Sequence, residues 1–377
     1  MAIASMRARP AFSSGIPVAR GGTQHFTTLD AMRGTAALAV AVMHASKLGD
    51  FQLLPSAYLA VDMFFMLSGF VIANAYDARL RGGLGAGRFM LQRLVRLYPL
   101  YLLGTAVAVL VIASGLDGGW TGAGLGQASG YAAAMLPIPP WLDGVDDHYT
   151  LYPLNDAAWS LLFELLVNLV FVLVHRWLGL RELLLWTGLA AILLVAAVVD
   201  AGTLERGWAW DGFAVGAARV GFSFPLGVLV QRLYAAGRLP RWRVPAWGVV
   251  AALLALLMVP SPGEAPEMWR DLGIVMLVMP VLLIAGVHGE IGAASVAAWL
   301  GEVSYPLYML HGPVLALLVG LALRQGYAAD MVPLWYRQSG MLAVVFACAP
   351  VARWLDMPVR RWLTARLAPR RVAPLSG

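Results

Sequence analysis

The chain has 377 residues, of which 60% are hydrophobic and only 13% charged; that balance excludes a soluble globular domain of this size and marks a polytopic membrane protein. Its formal charge of +6 resides in arginines clustered between and beyond apolar runs, a pattern of membrane orientation that argues against nucleic acid as a partner. The single cysteine, Cys348, precludes an intrachain disulfide.

Residues 1–28 carry Arg7, Arg9 and Arg20 without an apolar core, so they read as a polar basic leader and not as a cleavable signal. Ten apolar segments follow, each near the ~17–25 residues that cross a bilayer. They run at about 30–48, 56–75, 98–115, 157–175, 182–200, 212–234, 244–260, 271–288, 304–323 and 337–355. Segment 121–137 is rich in Gly and Ala and reads as an interfacial piece. No internal repeat is evident, and no stretch supports a separate soluble domain. The predicted fold is all-α: a transmembrane domain over 29–365 with about ten helices, then a basic tail over 366–377.

Loop charges orient the spans. The leader, the 76–97 loop (Arg79, Arg81, Arg88, Arg93, Arg96), the 231–243 loop (Arg232, Arg238, Arg241, Arg243) and the tail (Arg360, Arg361, Arg366, Arg370, Arg371) are basic. Alternate loops hold Asp117, Asp143, Asp146 and Asp147, then Asp200, Glu205 and Asp211, then Glu264 and Glu267. The positive-inside bias predicts both termini in the cytoplasm. The 288–303 loop, with Glu290 and Glu302, dissents.

Within the first span Arg33 and His44 stand eleven positions apart. At ~100° per residue they project from one face, about 16 Å apart along the axis. A fixed cation and a proton acceptor at two depths suit a long anionic substrate, and ionisable groups inside a membrane are functional by default. Counting ~1.5 Å per residue from the outer ends puts Asp62 about 9 Å deep and Glu164 about 10 Å deep. Arg219 falls at similar depth, so these three and His44 are expected in one outer-half cavity. Ser304, Tyr305, Tyr308 and His311 are expected nearer Arg33.

Each has a plainer reading. Arg33 could snorkel to the interface, and His44 could be a hydrogen-bonded structural histidine. Asp62 and Glu164 could be mere counter-charges of Arg219. The tyrosines could belong to an interfacial belt, and Ser68-Gly69 to a small-residue packing contact. A proton-coupled secondary transporter suits the composition equally well, although the missing repeat and the basic 88–97 motif argue against it.

Five blocks carry a resemblance. They are Leu29-Asp30-x-x-Arg33 with His44; Asp62-Met-Phe64-Phe65-Met-Leu67-Ser68-Gly69-Phe70; Arg88-Phe89-x-x-x-Arg93-x-x-Arg96-Leu97-x-Pro99; Trp159-Ser160-Leu-x-x-Glu164; and Ser304-Tyr305-Pro-Leu-Tyr308-Met-Leu-His311. In this order and spacing they resemble acyltransferase family 3, integral-membrane enzymes that O-acylate envelope polysaccharides, peptidoglycan and some secondary metabolites. Arg219-x-x-x-x-Phe224-x-x-Gly227 is similar to the family's sixth span. Two departures stand out: Asp356-Met-Pro358 replaces the usual Glu-x-Pro, and Glu302 stands where a basic residue is commoner. The chain is expected to lack the esterase-like domain fused to some relatives.

The resemblance implies a multi-pass protein of the bacterial inner membrane with acyl-CoA as co-substrate and no permanently bound cofactor or metal. The acyl group is read as acetyl first, with succinyl open. The acceptor is an envelope glycan, a lipid-linked sugar or another hydroxyl, a macrolide or lipid included. Arg33, Arg93 and Arg96 would bind donor phosphates, with Ser68, Arg219, Ser304, Tyr305, Tyr308 and His311 as further binding residues. His44 would be the general base, with Asp62 or Glu164 orienting its ring.

Overall fold

The computed structural model describes residues 26–47, 52–116, 120–142, 149–242, 244–260, 264–289, 291 and 294–367. Asp117, Asp143, Asp146, Asp147, Arg243, Glu290, Arg370, Arg371 and the leader arginines lie outside the described residues. The protein is a bundle of helices: α1 (Thr27–Ser46), α2 (Ala60–Arg81), α3 (Ala86–Ala113), α4 (Gly122–Ala133), α5 (Trp159–Val174), α6 (Leu180–Ala201), α7 (Phe213–Ala235), α8 (Ala246–Leu257), α9 (Glu264–Gly273), α10 (Met279–Val287), α11 (Ala294–Arg324), α12 (Leu334–Pro350) and α13 (Met357–Leu367). Extended pairing among the described residues is confined to an isolated bridge between Thr150 and Ala209.

Among the described residues, eight continuous helical spans are long and apolar enough to cross a membrane, with α9–α10 and α12–α13 each forming one of them. Of the ten predicted segments, two fall short. Asp30, Arg33 and His44 lower the hydropathy of α1, and α8 has only 12 residues. The weak 121–137 segment forms α4, also 12 residues, capped by the Thr121 side chain accepting from Gly124 N; its glycines oppose a longer helix. Two helices begin well before their predicted spans. The Arg88–Arg96 motif lies on α3, not in a loop, and α11 starts at Ala294. Hydropathy stops at the arginines, whereas the helical backbone needs only the buried face that Phe89 and Leu97 provide.

Small residues set the helix pairs. A Cβ on Gly227 would lie 2.0 Å from Met66 O, and one on Gly69 2.1 Å from Phe224 O, so α2 and α7 touch backbone to backbone. Gly34 similarly admits Leu300 of α11 against α1. Cross-links give the directions. Arg33 meets Ser304 and His44 meets His311, so α1 and α11 run parallel. Asp62 meets Arg219 and Asp77 meets Arg232, so α2 and α7 do likewise.

Two π-helical stretches interrupt the long helices, Ile274–Val278 before α10 and Val351–Asp356 before α13. Such stretches often mark functional positions; the second ends at Asp356, between two arginines described below.

Candidate active site

The seam between α1 and α11 is polar at two levels. At the first, Arg33 Nε donates to Ser304 Oγ at 3.0 Å, and Nη2 donates to Asp30 Oδ1 at 3.0 Å and Gly301 O at 2.9 Å. The side chain still exposes about a third of its surface (32%). At the second level His44 Nδ1 lies 2.9 Å from His311 Nε2, the rings 5.0 Å apart. His311 is buried and His44 only half-buried. Helical rise sets the two levels about 16 Å apart along α1.

Tyrosines join this seam to its neighbours. Tyr305 donates to Leu97 O of α3 at 2.5 Å, and the Arg96 guanidinium sits 5.6 Å from its ring centre. Tyr308 reaches Ser160 of α5 at 2.9 Å, with its ring 5.3 Å from Phe64 and 5.9 Å from His311. Pro313 supplies no N–H for the carbonyl of Met309 four residues back. Asn155 Nδ2 donates to that oxygen instead, at 3.2 Å. A polar side chain thereby satisfies a backbone group that the bilayer could not.

Around the Arg33 level further arginines gather. Arg93 Nη2 donates to Glu164 Oε1 at 2.5 Å, and Ser68 Oγ donates to the same oxygen at 3.0 Å. Asp356 Oδ2 lies 3.1 Å from Arg360 Nε and 3.8 Å from Arg96 Nη1, and the charges of Arg360 and Arg33 both bear on Arg96. Arg33, Arg93, Arg96 and Arg360 thus face Asp30, Glu164 and Asp356, one cation in excess. Arg93 Nε and Asp356 Oδ1 are buried without a hydrogen-bond partner among the described residues. The surplus positive charge and the unfilled Arg93 donor suit an anion, whereas the unfilled Asp356 oxygen calls for a donor.

The buried pair of α2 and α7 is of another kind. Arg219 Nη2 donates to Asp62 Oδ2 at 2.7 Å and to Tyr58 O at 3.0 Å, Nη1 donates to Arg206 O at 2.9 Å, and Nε spans both carboxylate oxygens. Trp159 lies 5.5 Å from the guanidinium. Among the described residues, no group of three or more His, Cys, Asp or Glu is arranged to hold a metal ion.

The model of the acyltransferase domain family matches residues 26–353. The chain belongs to acyltransferase family 3. Among curated relatives, "Protein 2 in picA locus" of Rhizobium radiobacter is 38% identical over 47% of this chain and 93% of its own. "Acyltransferase MdmB" of Streptomyces mycarofaciens is 26% identical over 72% of this chain and 69% of its own. "Exopolysaccharide production protein ExoZ" of Rhizobium meliloti is 26% identical over 72% of this chain and 81% of its own. No solved structure matches.

The geometry of this acyltransferase-family protein corrects several expectations. His44, Asp62, Glu164 and Arg219 do not form one cavity. Asp62 is taken by Arg219, and Glu164 by Arg93 and Ser68. Among the described residues no carboxylate reaches either imidazole, so neither Asp62 nor Glu164 orients the His44 ring. Arg219, paired with Asp62 and only 2% exposed, is shut away from a substrate. Ser304 and Tyr305 lie with Arg33 and Arg96, but Tyr308 and His311 belong to the His44 level. Depth counting failed there because seven residues of α11 separate Ser304 from His311, about 10 Å of rise.

Arg360 joins the cluster although charge patterning places it only in a basic tail; its i,i+4 spacing from Asp356 is the signal in the sequence. The departure at Glu302 has a local partner. Arg353 grips it through Nε and Nη2 at 2.8 and 2.9 Å.

Proposed function

We propose that the protein is a membrane O-acyltransferase that moves an acyl group, acetyl first, from cytoplasmic acyl-CoA to a hydroxyl of a cell-envelope carbohydrate. The observation that carries this reading is the α1–α11 seam: a cation cluster at one end and a half-buried imidazole about 16 Å away on the same helix face. The family supports acyl transfer, and the relative named for exopolysaccharide production favours a glycan acceptor. The protein would sit in the bacterial inner membrane with the Arg33 end cytoplasmic, as the loop arginines favour.

In this mechanism the donor's phosphates bind at Arg33, Arg93, Arg96 and Arg360, where guanidinium forks suit phosphate oxygens. Ser304 holds Arg33 and Tyr305 flanks Arg96. The pantetheine arm follows the seam, bringing the thioester carbonyl toward His44. His44 takes the proton of the acceptor hydroxyl as the oxygen attacks that carbonyl. The C–O bond forms, the C–S bond breaks, and His44 returns the proton to the departing sulfur, leaving ester and free CoA thiol.

Purified protein in vesicles, supplied with acetyl-CoA and envelope glycan, should release CoA and add ester-linked acetyl groups detectable by mass spectrometry. Glycans from cells lacking the gene should have lost that ester. No CoA release, together with unaltered cellular glycans, would overturn the proposal.

A further inference from the structure

Resting on His44 as the base, we propose that His311 is a positioning residue that sets the tautomer of His44, so that Nε2 of His44 is the atom that takes the acceptor's proton. The argument is one of donors and acceptors. His311 Nδ1 lies 2.9 Å from Tyr308 O and 3.2 Å from Leu307 O. Carbonyl oxygens can only accept, so this nitrogen carries the ring hydrogen. A neutral imidazole has one N–H, which leaves His311 Nε2 as a bare acceptor. That atom lies 2.9 Å from His44 Nδ1; two lone pairs would repel there, so His44 Nδ1 bears a hydrogen. Neutral His44 is therefore bare at Nε2.

The neighbourhood keeps this arrangement in one sense. His311 is buried, and its two carbonyl partners belong to its own helix one turn back, so its ring orientation is held by α11 itself. Tyr308 cannot compete for the pair. Ser160 donates its hydrogen to Ala157 O at 3.1 Å, so the Tyr308 hydroxyl donates to Ser160 Oγ.

The pair then acts as follows. When Nε2 of His44 accepts the hydroxyl proton, the imidazolium keeps its Nδ1–H bond to His311, now charge-assisted. Its ring stays aligned for return of that proton to the sulfur. His311 thus occupies the place that a carboxylate holds in a hydrolase triad, but without charge. A neutral acceptor stabilises the imidazolium less than a carboxylate does, which suits a base that must give its proton up again within the same turnover. It also avoids an unpaired buried anion.

The test compares His311→Leu with His311→Gln in vesicles, measuring kcat and the KM for acetyl-CoA. Leu removes the acceptor, and its kcat should fall by about 10² or more, the scale of mispositioned acid–base catalysis. KM should stay within about twofold, because donor phosphates bind elsewhere. Gln offers Oε1 near the former Nε2 and should retain roughly tenfold more kcat than Leu. Three results would overturn the proposal: an unchanged kcat for Leu, equal losses for Leu and Gln, or a raised KM with kcat intact. Full transfer by His44→Ala would instead sink the reading of His44 itself. A spectroscopic arm needs no variant of His311: nitrogen-15 spectra of histidine-labelled wild-type protein, assigned against His44→Ala, should show His44 protonated at Nδ1 and bare at Nε2. The reverse tautomer refutes the proposal.

Discussion

The Asp62–Arg219 pair and the His44–His311 pair look alike in sequence, as ionisable groups inside apolar helices, and differ in what they leave unused. Every nitrogen of the Arg219 guanidinium has a partner, and its side chain is 2% exposed against 0% for Asp62. The pair is closed off from any substrate and ties α2 to α7. His44 has one ring nitrogen engaged and one free of that contact, on a side chain that is only half-buried. Arg33, at the other level of the same seam, keeps about a third of its surface open. Burial and charge alone do not separate a structural pair from a reactive one. Unspent hydrogen-bonding capacity does.

The sharpest way to break that contrast is to delete one member of each pair. His44→Ala should lower acyl transfer by ~10²–10⁴-fold with the protein still inserted and its thermal midpoint close to wild type. Loss of folded protein would instead give His44 a structural role. Asp62→Ala should behave in the opposite way, leaving Arg219 buried and unpaired at a cost of ~3–5 kcal/mol. A large drop in thermal midpoint, partly recovered by the double replacement Asp62→Leu with Arg219→Leu, is the expected result. A stable, inactive Asp62→Ala would move this pair into the chemistry.

Arg33→Ala sharpens the comparison within the seam. Losing a hydrogen bond to a charged group removes ~1.5–3 kcal/mol, so the KM for acetyl-CoA should rise about tenfold or more with little change in kcat. Altered acceptor kinetics at an unchanged donor KM would assign Arg33 elsewhere. The smallest effect belongs to Arg353→Ala. Its partner Glu302 is well covered, but Arg353 itself is exposed, and such pairs contribute roughly 0–1 kcal/mol. Kinetics and stability should both stay near wild type; a raised donor KM would bring Glu302 and Arg353 into the cation cluster.

Much of the protein is legible in its sequence. Composition establishes the membrane class, and hydropathy finds all eight of the long apolar spans among the described residues. The common face of Arg33 and His44 followed from α1 alone, because residues eleven apart on one helix keep their phase whatever surrounds them. The close packing of Ser68-Gly69 was also visible, although Ser68 proved to carry a hydrogen bond to Glu164 as well.

Partners across helices were not legible. Assigning Glu164 to Arg219, and His311 to the Arg33 level, required depths counted from estimated helix ends. Those estimates missed the starts of α3 and α11 by 12 and 10 residues, about 15–18 Å of rise, as much as the ~16 Å between the two polar levels along α1. The sequence by itself determined an all-α membrane bundle and the face shared by Arg33 and His44, because local periodicity and transfer into lipid act on each segment separately. Only the tertiary structure decided that His311 meets His44 and that Glu164 meets Arg93. Those contacts depend on interhelical register, which close approaches such as Gly34 on Leu300 and Gly227 on Met66 impose and which no single helix encodes.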